Sequence, residues 1–252
     1  MAVRCSLVAL MVVVAAACGR KQVSPEGREE RITAMDSATS PAALQRRERS
    51  VLRLKAEGVP INPHLPVIED VSEMKRRTKE EVARRAMALL VVASKGEGLR
   101  QEVLARVVDD YGVEPDFSSE EAAFVGNPTP SDHDRIQFTW RFEAACTLLW
   151  ALGYVDELEK PVETCDVERA VAVVMDRSRE RFIAEAKLRP PAEILDQADL
   201  IYRYHWAVVD ARLDGKPVPA GLDPDVVMER HHALNWLIGY MDQEWDDVST
   251  DT

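Results

Sequence analysis

The sequence predicts an all-α protein with a single multi-helix domain, and three observations carry that prediction. Helix start and stop signals recur along the chain, with Ser, Thr or Asp ahead of an apolar run and Gly behind it. No segment alternates polar and apolar residues with period two for long, so no sheet is expected. No internal repeat at a fixed period is evident.

Taken in order, Ser40 caps a helix that has Pro41 at its first position, and Gly58 closes it. "VPINPHLPVIED" follows. Prolines at 60, 63 and 66 forbid a helix there and favour an extended, polyproline-like strap whose apolar residues lie over a helical core. Thr78 with Glu81 forms a capping box, opening a helix through "EEVARRAMALLVVASK" to Gly96. A further helix covers about 98 to 111 and ends at Gly112. Ser118 with Glu121 repeats the capping box before a short helix that stops at Gly126. "NPTPSD" is a break, after which Ser131 caps a helix expected to reach Gly153. Asp166 caps one near 167–188, and Pro190 and Pro191 start one that reaches Gly215. Beyond the loop "KPVPAGLDP", Asp223-Pro224 begins the last helix, which is expected to run to about Met241. The acidic remainder, "DQEWDDVSTDT", reads as a tail docked by Trp245.

The domain so defined spans residues 40–252, and what precedes it reads as a targeting segment. Arg4 gives a positive start, Leu7 to Ala17 is an uninterrupted apolar run of eleven residues, and small residues precede Cys18. The run is too short to span a bilayer but fits the core of a secretory signal peptide over residues 1–17. Val14-Ala15-Ala16-Ala17-Cys18 matches a bacterial lipobox, in which Cys18 is lipidated and becomes the new N-terminus. Residues 18–39 then form a polar tether. This places the chain in the cell envelope, lipid-anchored to a bacterial membrane. The competing reading is ordinary cleavage after Ala-x-Ala and a soluble secreted or periplasmic protein. Cys146 and Cys165 are the cysteines left in the domain, and they read as two thiols in a compartment that permits a disulfide.

Composition excludes some functions. Hydrophobic residues at 46% and charged residues at 30% describe a globular chain able to bury a core. A net charge of -12 makes it a poor binder of DNA or RNA, because phosphate contacts need Lys and Arg. The expected partners are therefore the membrane, through Cys18, and a protein or small molecule, with no nucleic acid.

Four stretches are familiar: "NPHLPVIED", "DRIQFTWRFEAACTLLWALG", "ADLIYRYHWAVVDARLDGK" and "VMERHHALNWLIGY…WDDVSTDT". Together they resemble the DUF4272 family of bacterial domains, over roughly residues 44 to 252. The resemblance implies one domain with a well-formed C-terminal motif. It implies no activity and carries over no catalytic residue.

The residues hardest to explain as surface fall on three of the helices. Arg141 and Glu143 lie in the midst of an apolar run that includes Ile136, Phe138, Trp140, Phe142, Leu148 and Leu149. Two residues apart, they cannot pair with each other well, so each needs a partner from another helix. Ile194, Ala198, Ile201, His205 and Val208 form one stripe, which turns His205 inward beside Arg203, Trp206, Asp210 and Arg212; Asp199 and Arg203 read as a surface pair. Val227, His231, Leu234 and Ile238 form another, with His231 inward and His232 turned roughly 100° away.

No metal and no cofactor is predicted. Glu229 and His232 form a Glu-x-x-His unit, but a second such unit is missing, so a di-iron site is not supported. A mononuclear site from His64, His205 and His231 needs a fold the sequence does not supply. The tail imitates the start of a calcium loop but has Asp247 where glycine is required. The leading expectation is a binding domain with an inward Arg/Glu/His/Asp/Trp cluster, whose ligand-binding candidates are Arg141, Arg203, Arg230, Asn235, Trp206, Trp236, Asp246 and Asp247. The alternative is a hydrolase-like enzyme with His205 or His231 as general base, Glu143 or Glu229 as further catalytic candidates, and an arginine orienting an anionic substrate.

Overall fold

Pro41, fixed near helical φ and lacking an N–H, follows Ser40, whose hydroxyl accepts the Ala43 N–H at 3.2 Å; helix α1 (Pro41–Glu57) starts there and ends at Gly58 in the left-handed region. The computed structural model describes residues 40–252, all within one compact unit; the expected signal peptide over 1–17 and the lipidated tether over 18–39 lie outside the described residues. The strap follows α1, extended and without helix. It buries Val59 and Leu65 and lays Ile61, Ile68 and Met74 on the core. Arg46, itself buried, pins it by donating to the carbonyls of Ile68 at 3.3 Å and Glu69 at 3.0 Å.

The remaining helices are α2 (Lys79–Gly96), α3 (Gln101–Tyr111), α4 (Ser119–Gly126), α5 (Asp132–Thr139) and α6 (Arg141–Ala151), then α7 (Val167–Met175), α8 (Arg179–Glu185), α9 (Pro191–Leu213) and α10 (Pro224–Ile238). The protein is all-α, with no strand among the described residues. The capping boxes at Thr78/Glu81 and Ser118/Glu121 both form, and a third forms at Ser131/Asp134.

Three boundaries differ from the sequence expectation. The helix expected from Ser131 to Gly153 breaks at Trp140 into α5 and α6, and only α6 is buried on nearly every face; Ile136, on α5, is 59% exposed. The helix expected near 167–188 is two, because Ser178 caps a new start at α8. The last helix ends at Ile238 rather than Met241, because Gly239 adopts φ 69°. A Cβ at Gly239 would also lie 2.5 Å from the Lys75 carbonyl, so the strap's close approach demands glycine twice over.

Helix α2 is the centre. Val82, Ala83, Ala86 to Ala93 and Gly96 are buried, and α6 packs along it. At its end, a Cβ on Gly96 would meet Thr139 Oγ1 at 2.6 Å, so glycine lets α5 cross in contact. Helix α10 packs on α6 and on α9, and α9 in turn packs on α1. This order sets α10 between two helices, which is why polar residues on both its sides become internal.

Candidate functional site

Helices α6 and α10 each carry one residue of either sign toward the other. Arg141 donates from one guanidinium nitrogen to both oxygens of Glu229, at 3.0 and 2.9 Å. Two residues along α6, Glu143 lies 3.5 Å from Arg230, and its other oxygen accepts the Cys165 N–H. Arg230 also donates to the Glu159 carbonyl at 2.6 Å. The partners that Arg141 and Glu143 require thus come from α10, as a crossed pair of ion pairs. Burial raises the Glu229 pKa and outweighs the lowering by Arg141.

Arg203 does not join this group. Both of its terminal contacts, at 2.8 Å, go to Asp199 on its own helix, and the pair is buried, with Asp199 0% exposed. The expectation of a surface pair is corrected: Asp199 and Arg203 lie inside, on a helix that packs against both α1 and α10. Trp206 is half-buried against the core. Cys146 and Cys165 are both free thiols, and Cys165 donates to the Phe142 carbonyl at 3.6 Å. A hydrogen bond with Cys146, and then burial, push the Cys165 thiol above its ordinary pKa.

His205 and His231 meet. Their Nδ1 atoms are 2.8 Å apart and their rings are set edge to face at 83°. Burial, with Arg212 nearby, lowers the His205 pKa to about 4; burial, with His205 and His232 nearby, lowers His231 to about 3. Both rings are therefore neutral at pH 7. One Nδ1 donates and the other accepts, so the two rings hold opposite tautomers. His232 lies on a different face, edge-on to Trp245 at 4.6 Å, and His64 is exposed in the strap. Among the described residues no group of three or more His, Cys, Asp or Glu is placed to hold a metal ion.

The tail docks through Trp245, which is 3% exposed and packs on Trp236 at 5.5 Å, on His232, and under the Arg85 guanidinium at 5.0 Å. Arg77 covers the other indole, Trp236, at 4.8 Å. Asp246 accepts the Glu120 N–H at 3.2 Å, at the N-terminus of α4. The tail carboxylates do not meet Arg141, Arg203 or Arg230 among the described residues, because those guanidinium groups are already paired with Glu229, Asp199 and Glu143. Asp247 is exposed. Asn235 donates its amide N–H to the Ser249 carbonyl at 2.8 Å, tying the tail back across α10.

That return closes a cavity of about 220 Å³ between strap, α9, α10 and tail. Pro66, Val67, Ile68 and Glu69 line it from the strap, Tyr202 from α9, and His231, Asn235 and Ile238 from α10; Tyr240, Asp251 and Thr252 complete it. Of the candidate residues, only His231 and Asn235 reach it. Tyr202, Tyr240, Glu69 and Asp251 were not singled out from the sequence as site residues, and no local pattern marks them. All eleven lining residues nevertheless fall within the four stretches that carry the family resemblance.

Residues 46–248 match the family model described as Domain of unknown function (DUF4272). The chain belongs to the DUF4272 family. The DUF4272 match runs from within α1 through Trp245, so it takes in every wall of the cavity except Asp251 and Thr252. None of the curated proteins and none of the solved structures compared matches the chain.

Proposed function

We propose that this DUF4272 chain is a ligand-binding domain held at a bacterial membrane through lipidated Cys18, with the cavity between strap, α9, α10 and tail as its binding site. The cavity wall carries the reading. His231 and Asn235, 2% and 4% exposed, line it, and neither His231 Nε2 nor Asn235 Oδ1 makes a hydrogen bond among the described residues. An apolar lining with a few placed polar groups is the usual make-up of a small-molecule site. At about 30 Å³ per water, 220 Å³ is space for roughly seven waters, the scale of a small metabolite.

The enzyme reading would use the same wall, with His231 as general base. A general base works best with a pKa near the operating pH, and His231 lies at about 3. The arginines that would orient an anionic substrate are bound to Glu229, Asp199 and Glu143. Both facts favour binding over hydrolysis. The membrane part of the proposal rests on the lipobox at Cys18.

Two experiments test it. Thermal melting against a library of small metabolites should find stabilising compounds, since a ligand at a hundred times its Kd adds about 2.7 kcal/mol. Val67→Trp, which fills the cavity from the half-buried strap, should abolish that stabilisation. A library without effect, or stabilisation that survives Val67→Trp, overturns the binding site. Radiolabelled palmitate should label the wild type and not Cys18→Ala, and equal labelling overturns the anchor.

A further inference from the structure

We infer that the cavity recognises a small cationic ligand, an organic ammonium group carried on a short apolar body; the inference rests on the binding reading above and assigns its ligand class. The charged side chains at the cavity are carboxylates, and the hydroxyls of Tyr202, Tyr240 and Thr252 can turn either a proton or a lone pair toward a ligand. Glu69 and Asp251 bring carboxylates, and the lining contains no Lys or Arg. Asn235 adds a neutral acceptor, and its orientation follows from its partner: the Ser249 carbonyl can only accept, so it takes the amide nitrogen and leaves Oδ1 for the cavity. Tyr202 and Tyr240 supply two aromatic rings, the arrangement that attracts a desolvated cation.

The His pair fits the same demand. His231 can accept at Nε2 only when it donates at Nδ1, and His205 Nδ1 is there at 2.8 Å to accept that hydrogen bond. A donor-rich ligand selects this tautomer with no net change of charge. An anion meets the reverse situation. Arg46 is held behind the strap on the Ile68 and Glu69 carbonyls and beside Asp196, Arg203 is held on Asp199, and neither lines the cavity. Glu69 has its pKa raised by partial desolvation and by Glu73, an unfavourable state that a bound cation relieves. The net charge of -12 steers cations inward over a longer range.

The test uses three probes of one size on the full chain: propylammonium, propanol and propionate. The readout is the His231 imidazole nitrogens and the Asn235 side-chain amide, followed by NMR. Propylammonium should shift both saturably, with a Kd at least tenfold below that of propanol, and propionate should shift neither. Glu69→Gln, an exposed substitution that leaves packing intact, should cut the preference for propylammonium over propanol several-fold and leave propanol unchanged. Propanol or propionate binding as tightly as propylammonium overturns the ligand class while leaving the cavity as a binding site. A preference for propylammonium that persists in Glu69→Gln/Asp251→Asn overturns the role of the carboxylates and with it the inference. No response to any probe overturns the binding site itself.

Discussion

Arg141 and Glu229 show how a single residue's effect depends on its partner. The Glu229 side chain is 6% exposed, and its charge is tolerable inside only because a guanidinium spans both oxygens. Arg141→Met alone should therefore cost about 3–5 kcal/mol, the usual result of orphaning a buried charge. Arg141→Met with Glu229→Leu should recover most of that loss, because no charge is then left inside. Urea unfolding of the two single variants and the double gives the coupling directly, and additive losses would contradict the pairing. His205→Ala should lower stability by about 2 kcal/mol, since it leaves His231 Nδ1 buried without its partner. An unchanged melting temperature would contradict this.

Among the elements, the tail matters most for function. Residues 240–252 contain only short helical turns at Tyr240–Asp242 and Trp245–Asp247, too little structure to hold themselves in place. Trp245 holds them by burying its ring among Trp236, His232 and Arg85, and the Asn235 bond to Ser249 sets their path. Trp245→Ala should cost about 3–5 kcal/mol. It should also free Asp251 and Thr252 from the cavity wall, so cleavage of the tail by carboxypeptidase should accelerate and binding should weaken together. Cleavage at the wild-type rate would show that the tail is held by something else. The broken helix at Trp140 belongs to this scale too. On its two sides, α5 meets α2 at Gly96 and α6 packs along it.

For the whole molecule, the three buried histidines act through stability. In an unfolded chain their imidazoles titrate near 6.5; in the folded protein His205, His231 and His232 lie at about 4, 3 and 4, burial being the first cause in each. As the pH falls, the unfolded state takes up protons first. The stability these rings contribute is thus complete above pH 6.5 and declines below it, by about 1.4 kcal/mol per pH unit for each ring until its folded pKa is reached. Glu229, with its pKa raised, works in the opposite sense and offsets part of the loss at the acid end. Urea midpoints should be level from pH 8 to 7 and fall steeply between pH 6.5 and 4.5. A midpoint that holds to pH 5 would mean the rings are not buried neutral.

The sequence by itself determined the helical class, the docked tail and the starts of most helices, those of α6 and α8 excepted. These follow from interactions within a few residues: Ser40, Thr78, Ser118, Ser131 and Asp166 cap the N–H groups just ahead of them, and Gly58 and Gly112 supply left-handed turns. It also marked Arg141, Glu143, His205 and His231 as inward, because helical spacing places them on apolar faces. Only the tertiary structure decided which charges meet. Arg141 takes Glu229 and Arg230 takes Glu143, so the tail aspartates find those guanidinium groups already paired; the Asp199–Arg203 pair suggested by i,i+4 spacing forms, but buried rather than on the surface. The cavity lay beyond sequence reasoning for the same reason. Glu69 and Asp251 are 182 positions apart and meet only because Arg46 pins the strap and Trp245 returns the tail. Spacing along a helix sets which way a side chain points; what it meets depends on how distant segments pack.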